Sequence, residues 1–264
     1  MVSSVTDSKQ ITGITSDAGS AAGVEKSPLK LALIIPTLNE AGNIVHVLNH
    51  VRSALDPAGI AYEIIVVDDS STDGTGDLVT AEGLKDSRIK LLVRKGERGL
   101  SGAVLDGWRI VDADVLGVMD ADLQHPPELL PQLFQAIVDG RDLAIGSRYT
   151  PGGETGEWNP IRKFISSAAT AVTWPIQHSG ARASDPMSGY FMVRRSAVDK
   201  IELQRSGFKL LLEVLVRGRI HSVKEIPFSF GTRYRGDSKA NFKVAWDYGL
   251  LLMRLYTARF LGRG

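Results

Sequence analysis

Cysteine is absent from the 264 residues. Disulfides, zinc–thiolate sites, iron–sulfur clusters and thiol nucleophiles are thereby excluded, and the composition fits a reducing compartment. An excess of charge is missing too: 31 Lys and Arg face 30 Asp and Glu, which leaves a net charge near +1. No global field draws the chain to nucleic acid, which is not expected as a partner. No clean membrane span is present either. The longest uncharged window, 164–181, is broken by Ser166, Ser167, Pro175, Gln177 and His178. Residues 1–28 lack apolar periodicity, and no basic start leads into an apolar core, so a flexible lead-in is expected there rather than a secretory signal. A Walker A loop and a Gly-x-Ser-x-Gly elbow are both missing, which removes the P-loop and serine-hydrolase readings. His46 and His50 stand four apart on an expected helix, but no Glu lies between them and no third ligand is evident.

What is there is an alternation of short apolar runs and amphipathic stretches. Leu31–Ile35, Glu63–Val67, Ile89–Val93, Val115–Met119 and Leu143–Gly146 are β-branched or leucine-rich runs suited to buried parallel strands. Helices are expected between them at Asn43–Ala54, Thr75–Leu84, Leu100–Ile110 and Pro127–Val138, with Asp73-Gly74 and Asp139-Gly140 as turns. Farther on, Arg162–Thr173 and Leu210–Val216 read as helices, and Ser188–Val193 and Ser222–Phe230 as strands. The pattern predicts an α/β fold, an open and mostly parallel sheet with helices on both faces. Such sheets bind ligands beyond the C-terminal ends of their strands.

Three of those ends carry polar clusters: Pro36-Thr37-Leu38-Asn39-Glu40, Asp68-Asp69-Ser70-Ser71-Thr72-Asp73-Gly74-Thr75, and Asp120-Ala121-Asp122-Leu123-Gln124-His125-Pro126-Pro127. Asp73 or Ser71 alone reads equally well as a helix cap. Like charges gathered from several strands need a cation or donors to be stable. If the chain stays extended, Asp120, Asp122 and Gln124 share one side, an oxygen-only set suited to Mg²⁺ or Mn²⁺. A magnesium site with so few protein ligands leaves positions for substrate phosphates. Gly99-Leu100-Ser101-Gly102 is either a phosphate cradle or a site of close helix–sheet packing. At the far end, Phe242–Phe260 interleaves aromatic and leucine bulk with Lys243, Arg254 and Arg259, so an amphipathic helix over 240–264 either lies in a membrane interface or packs on the core.

Together these motifs resemble the inverting family 2 glycosyltransferases. With Gly146-Ser147-Arg148-Tyr149, Asp185-Pro186-Met187-Ser188-Gly189-Tyr190 and Arg233-x-x-Gly236-x-Ser238-Lys239 added, they resemble dolichol-phosphate (polyprenol-phosphate) mannose synthases. The resemblance implies a GT-A nucleotide-sugar-binding fold over about 29–239. It implies transfer of mannose from GDP-mannose to a dolichyl or polyprenyl phosphate, with inversion, at the cytoplasmic side of a membrane to which the chain attaches peripherally.

It also implies roles, position by position. Pro36, Leu38, Glu40, Val66 and Asp68 fall where the family holds guanosine, and Asp120, Asp122 and Gln124, with Ala121 between, fall on the divalent-metal ligands. Arg148, Arg162 and Ser166 match residues near the acceptor phosphate and donor, so that Asp122, Arg148, Arg162 and Ser166 form the expected catalytic set. Lys209, Arg233 and Lys239 match positions that bind donor or acceptor phosphates, and Asp185 opens a loop near the sugar. The same fold acting on UDP-glucose and undecaprenyl phosphate, and a non-catalytic nucleotide-sugar module, remain as rivals.

Overall fold

The computed structural model describes residues 29–96, 98–153, 169–178, 180–205, 209–229 and 242–261. In chain order these give β1 (Lys30–Thr37), α1 (Ile44–Leu55), β2 (Ala61–Asp68), α2 (Thr75–Lys85), β3 (Ile89–Val93), α3 (Leu100–Arg109) and β4 (Val115–Val118). A 3-10 turn at Pro127–Leu129 leads into α4 (Leu130–Val138), and then follow β5 (Leu143–Ser147), β6 (Phe191–Arg194), the single turn α5 (Arg195–Val198), α6 (Leu210–Arg217), β7 (Val223–Pro227) and α7 (Phe242–Leu261).

The seven strands form one sheet in the order β3-β2-β1-β4-β6-β5-β7. Every pairing is parallel except those of β6, which runs antiparallel to both β4 and β5. Alternation along β1 shows why both faces are covered. Leu31, Leu33 and Ile35 point into one apolar cluster with Val47, Leu48 and Val51 of α1 and Leu133 and Ile137 of α4. Ala32 and Ile34 point into the other, with Val104 and Trp108 of α3 and Leu211, Val214 and Leu215 of α6. A strand apolar on both sides needs two helical layers to leave water. Close approach of α3 to the sheet depends on Gly107, where an added Cβ would sit 2.9 Å from the Ile34 side chain.

The long C-terminal helix forms as expected. Its Leu255 is buried with Ile176, Leu212 and Val216, and Tyr248, Leu251, Leu252 and Tyr256 pack on that cluster. Its apolar residues are not gathered on one side, however, since Met253 and Phe260 are exposed beside Arg254 and Arg259. No helix among the described residues is long and apolar enough to cross a membrane. Of the helix expected at Arg162–Thr173, residues 169–173 are helical, and the rest lies outside the described residues, as does 1–28.

Candidate active site at the C-terminal sheet edge

The first two strand ends are stapled together. The Asn39 N–H donates to Ser71 Oγ (2.8 Å), Thr72 N–H to Asn39 Oδ1 (3.0 Å), Glu40 N–H to Thr75 Oγ1 (2.9 Å) and Ala41 N–H to Asp73 Oδ2 (2.9 Å). Asp73 Oδ1 also accepts the Thr75 N–H (3.1 Å), so Asp73 secures the start of α2 and the neighbouring loop, which is the capping alternative. Burial works against its charge, and the hydrogen bonds from Thr75 and Ala41 more than offset this, holding its carboxyl below the ordinary range. Asp68 is buried, and its carboxylate accepts the Thr37 hydroxyl (3.0 Å) and the Ser71 N–H (2.8 Å), so it organises the loop from within. Glu40 accepts the Asn43 side-chain amide (2.7 Å) and opens α1. Pro36 and Leu38 are half-buried at the edge, and the side chains of Val66 and Ala121 are packed in the core.

The Gly99 loop is not a free phosphate cradle. Its Gly99 N–H donates to Asp69 Oδ2 (2.8 Å), and an added Cβ at Gly102 would lie 2.7 Å from Arg94 Nη2, so the glycines serve close packing. Arg94, buried, pairs with Asp69 (2.7 Å) and with Asp106 (3.0 Å), and Asp106 in turn accepts Arg205 Nη2 (2.8 Å).

The acidic loop after β4 differs from its expected shape. The segment does not continue extended: it bends over residues 121–123, and Leu123 adopts a left-handed conformation (φ 61°). Alternation along a strand therefore does not set the direction of these carboxylates. The Gln124 N–H donates to Asp122 Oδ1 (3.1 Å), and the Asp120 N–H to His125 Nδ1 (3.2 Å). His125 is buried and stacked on Tyr190 at 4.9 Å, with Phe228 at its edge. Burial pushes its pKa down despite Asp120 and Asp122 nearby, so the ring is neutral at pH 7. Tyr190 donates its hydroxyl to Pro126 O (2.8 Å), which ties β6 to the same loop. Asp122 is nearly buried, while the Asp120 side chain is 35% exposed. Asn39 (φ 60°) and Ser70 (φ 58°) are left-handed too, so three strand exits hold a strained residue worth on the order of 1 kcal/mol each.

The basic side of the edge comes from later in the chain. Arg148, just after β5, donates Nε and Nη2 to the two oxygens of the buried Asp185 (2.7 and 2.8 Å). Burial opposes the guanidinium charge, and the paired carboxylate more than offsets it. Glu225 of β7 accepts the Ser184 and Asp185 N–H groups (2.9 and 3.1 Å) and so fixes the carboxylate that fixes Arg148. Lys209 stands at the start of α6, within electrostatic reach of Arg148, Asp185 and Asp120. Burial first, and Arg148 second, push its pKa down to about 8. Gly189 leaves room here, because a Cβ would lie 3.0 Å from Asp120 Oδ2 and 3.4 Å from His125 Cε1.

Asp120, Asp122, Arg148 and Lys209 thus meet at one edge. Arg162, Ser166, Arg233 and Lys239 lie outside the described residues. Among the described residues no three His, Asp or Glu side chains form a metal-binding group. The donor chemistry still suits a hard cation, since Asp120 and Asp122 place two carboxylates in one loop that opens to the edge. Sequence reasoning missed the supports: the His125–Tyr190 stack, Glu225, and the Asp69–Arg94–Asp106–Arg205 chain. A histidine and a tyrosine inside polar motifs were the only signal, and Arg205 meets Asp106 from 99 residues away.

Known proteins resemble the chain over most of its length. The family model described as glycosyl transferase family 2 matches residues 32–202. A dolichol-phosphate mannosyltransferase from Pyrococcus furiosus is 42% identical over 86% of this chain and 64% of its own length, so the chain spans just under two thirds of that relative. One from Mycosarcoma maydis is 36% identical over 92% of this chain and 84% of its own. Among solved structures, glucosyl-3-phosphoglycerate synthase from Mycobacterium tuberculosis, in complex with Mn²⁺, UDP-glucose and glycerol 3-phosphate, superposes with a TM-score of 0.63 at 16% identity, covering 88% of this chain and 80% of that one.

Proposed function

Because the chain belongs to glycosyl transferase family 2 and has the GT-A fold, we propose that it transfers mannose from GDP-mannose to a dolichyl or polyprenyl phosphate. The observation that carries this reading is the meeting of opposite charges at one edge: Asp120, which shares the loop after β4 with Asp122, lies within electrostatic reach of Arg148 and Lys209. A donor diphosphate and an acceptor phosphate are both anions, and bringing two anions together is the main electrostatic task of the reaction.

The chemistry needs little else. A phosphate monoester has a second pKa near 6, by analogy with phosphorylated side chains, so its oxygen is already anionic at pH 7 and no general base is required. That agrees with His125, which is neutral, buried and occupied at Nδ1 by the Asp120 N–H. The acceptor oxygen attacks C1 of the sugar as the C1–O bond to the diphosphate breaks, and attack from the opposite side gives the β-mannosyl phosphate. Arg148, oriented by Asp185, and Lys209 hold the phosphates; Arg162, Ser166, Arg233 and Lys239 join them in this reading. Mg²⁺ or Mn²⁺ held by Asp120, Asp122 and Gln124 would supply positive charge against the departing diphosphate. Pro36 and Leu38 line the nucleoside side, and Glu40 and Asp68 shape the loops around it.

The lipid acceptor calls for a membrane surface, reached from the cytoplasmic side. Val172, Trp174, Met253 and Phe260 are exposed, and Tyr256 of α7 donates its hydroxyl to Val172 O (2.6 Å), which joins the two segments. Transfer from labelled GDP-mannose to a short polyprenyl phosphate, with Mn²⁺ or with EDTA and beside UDP-glucose, tests the whole. Metal-dependent mannolipid is expected, and Asp122→Ala should abolish most of it. Transfer from UDP-glucose alone overturns the sugar assignment, and silence with both donors overturns catalysis.

A further inference from the structure

A cavity of about 590 Å³ opens where α6 ends, between the turn after α5 and the last turns of α7. Three elements each send one cation to it: Lys200, Arg217 and Arg259. Only Glu202 opposes them, so three positive groups and one negative group leave the lining with a net charge of +2. None of the four side chains makes a hydrogen bond or ion pair with another described residue, unlike those of Arg148, Arg94 or Arg88 elsewhere in the fold. The Arg217 Nε–H is buried and has no acceptor among the described residues. The charge of Arg217 reaches Glu213, one turn back, but that carboxylate accepts the Gln204 N–H (2.8 Å).

A cation in the last turn of a helix favours the helix dipole, and that accounts for Arg217 alone. It does not account for Lys200 and Arg259, which arrive from other elements and bring like charges together. Lys200 and Arg259 are exposed and their repulsion is screened by water, so the buried Arg217 Nε–H is the group that an anion would satisfy, with the two other cations adding attraction. Val216 and Ala258 add apolar wall beside the charges, and the volume suits a small organic molecule rather than a bare ion. Lys209 and Arg217 are eight residues apart on α6, about 12 Å along its axis, so this cavity is separate from the candidate active site.

We infer that this cavity is a second anion site that takes a small organic phosphate, with the glycerol 3-phosphate unit as its simplest form. That unit occurs both as a soluble ester and as the headgroup core of anionic lipids. Two arms separate the sources: calorimetric titration with glycerol 3-phosphate at low salt, and flotation with phosphatidylglycerol against phosphatidylcholine vesicles. Arg217→Gln with Arg259→Gln should weaken binding at least tenfold in one arm or both. Lys200→Gln, on a separate element, should act in the same direction, which guards against a folding defect in the double variant. Arg254→Gln, on α7 but hydrogen-bonded to Gln204 Oε1 (2.9 Å), should leave binding unchanged. Loss confined to the first arm makes the ligand a soluble ester; loss confined to the second makes it a lipid headgroup. No binding by the wild type in either arm, or equal binding by wild type and all variants, overturns the inference.

Discussion

Raising the pH from 7 to 9 should titrate Lys209. Its pKa lies at about 8 rather than 10.5, chiefly because burial strips water from the ammonium, with Arg148 adding repulsion. Burial thus disfavours the charged form of this lysine strongly. A phosphate arriving beside Lys209 would replace the missing solvation, so binding should favour the protonated lysine. With a free-enzyme pKa of about 8, about nine-tenths of the molecules carry that proton at pH 7 and about a tenth at pH 9. The sign is therefore a loss of affinity as pH rises, roughly tenfold in KM across the interval. kcat should move less, because bound phosphate raises the pKa of Lys209. The acceptor phosphate, about nine-tenths ionised at pH 7, contributes little above it. The assay is initial-rate mannosyl transfer from pH 6.5 to 9.5 for the wild type, Lys209→Arg and Lys209→Met. Arginine stays charged throughout and should flatten the profile at high affinity; methionine should flatten it at low affinity. A flat wild-type profile, or a fall that persists in Lys209→Arg, refutes the reasoning.

Asp185→Ala should cost about 3 kcal/mol in urea unfolding and most of the activity, because it leaves Arg148 buried without its bidentate partner. Gly189→Ala should lower kcat more than it lowers Tm, since the new Cβ meets the Asp120 carboxylate first and the His125 ring less closely. His125 gives a stability signature: its folded pKa is below 6.5, so the unfolded chain binds a proton that the folded chain refuses. Its contribution is fully present above pH 6.5 and declines as pH falls, by at most about 1.4 kcal/mol per unit; urea midpoints at pH 7.5 and 5.5 for the wild type and His125→Gln should show it.

Local pattern made much of the fold legible. Ile89–Val93 is a strand with the expected ends, and Thr75 and Leu100 open helices where expected, because apolar spacing and glycine turns act within a few residues. The strand expected at Ser188–Val193 begins only at Phe191, because Ser188 and Tyr190 are occupied in holding the loop: the Ser188 hydroxyl donates to Gly146 O and Tyr190 reaches Pro126. The three strand ends were readable as a site from their carboxylates alone. What those carboxylates do individually was not, since Asp68 spends its oxygens on Thr37 and Ser71, and Asp185 on Arg148, through contacts 31 and 37 residues apart. The depressed pKa of Lys209 was equally hidden, because it follows from burial and not from neighbours in sequence.

The reversed direction of β6 carries a consequence for how the molecule matures. β4 and β5 never pair with each other; the slot between them is filled by a strand made more than forty residues after β5 ends. Until β6 slides in, the sheet is two separate pieces, and the Asp120 loop has neither the Tyr190 ring beneath it nor Asp185 across from it. The same segment that joins the sheet also brings Tyr190 against His125 and Asp185 against Arg148. The strand that joins the two halves of the sheet is thus also the one whose neighbours complete the charge pattern, so recovery of activity on refolding should track closure of the sheet rather than collapse of its first half.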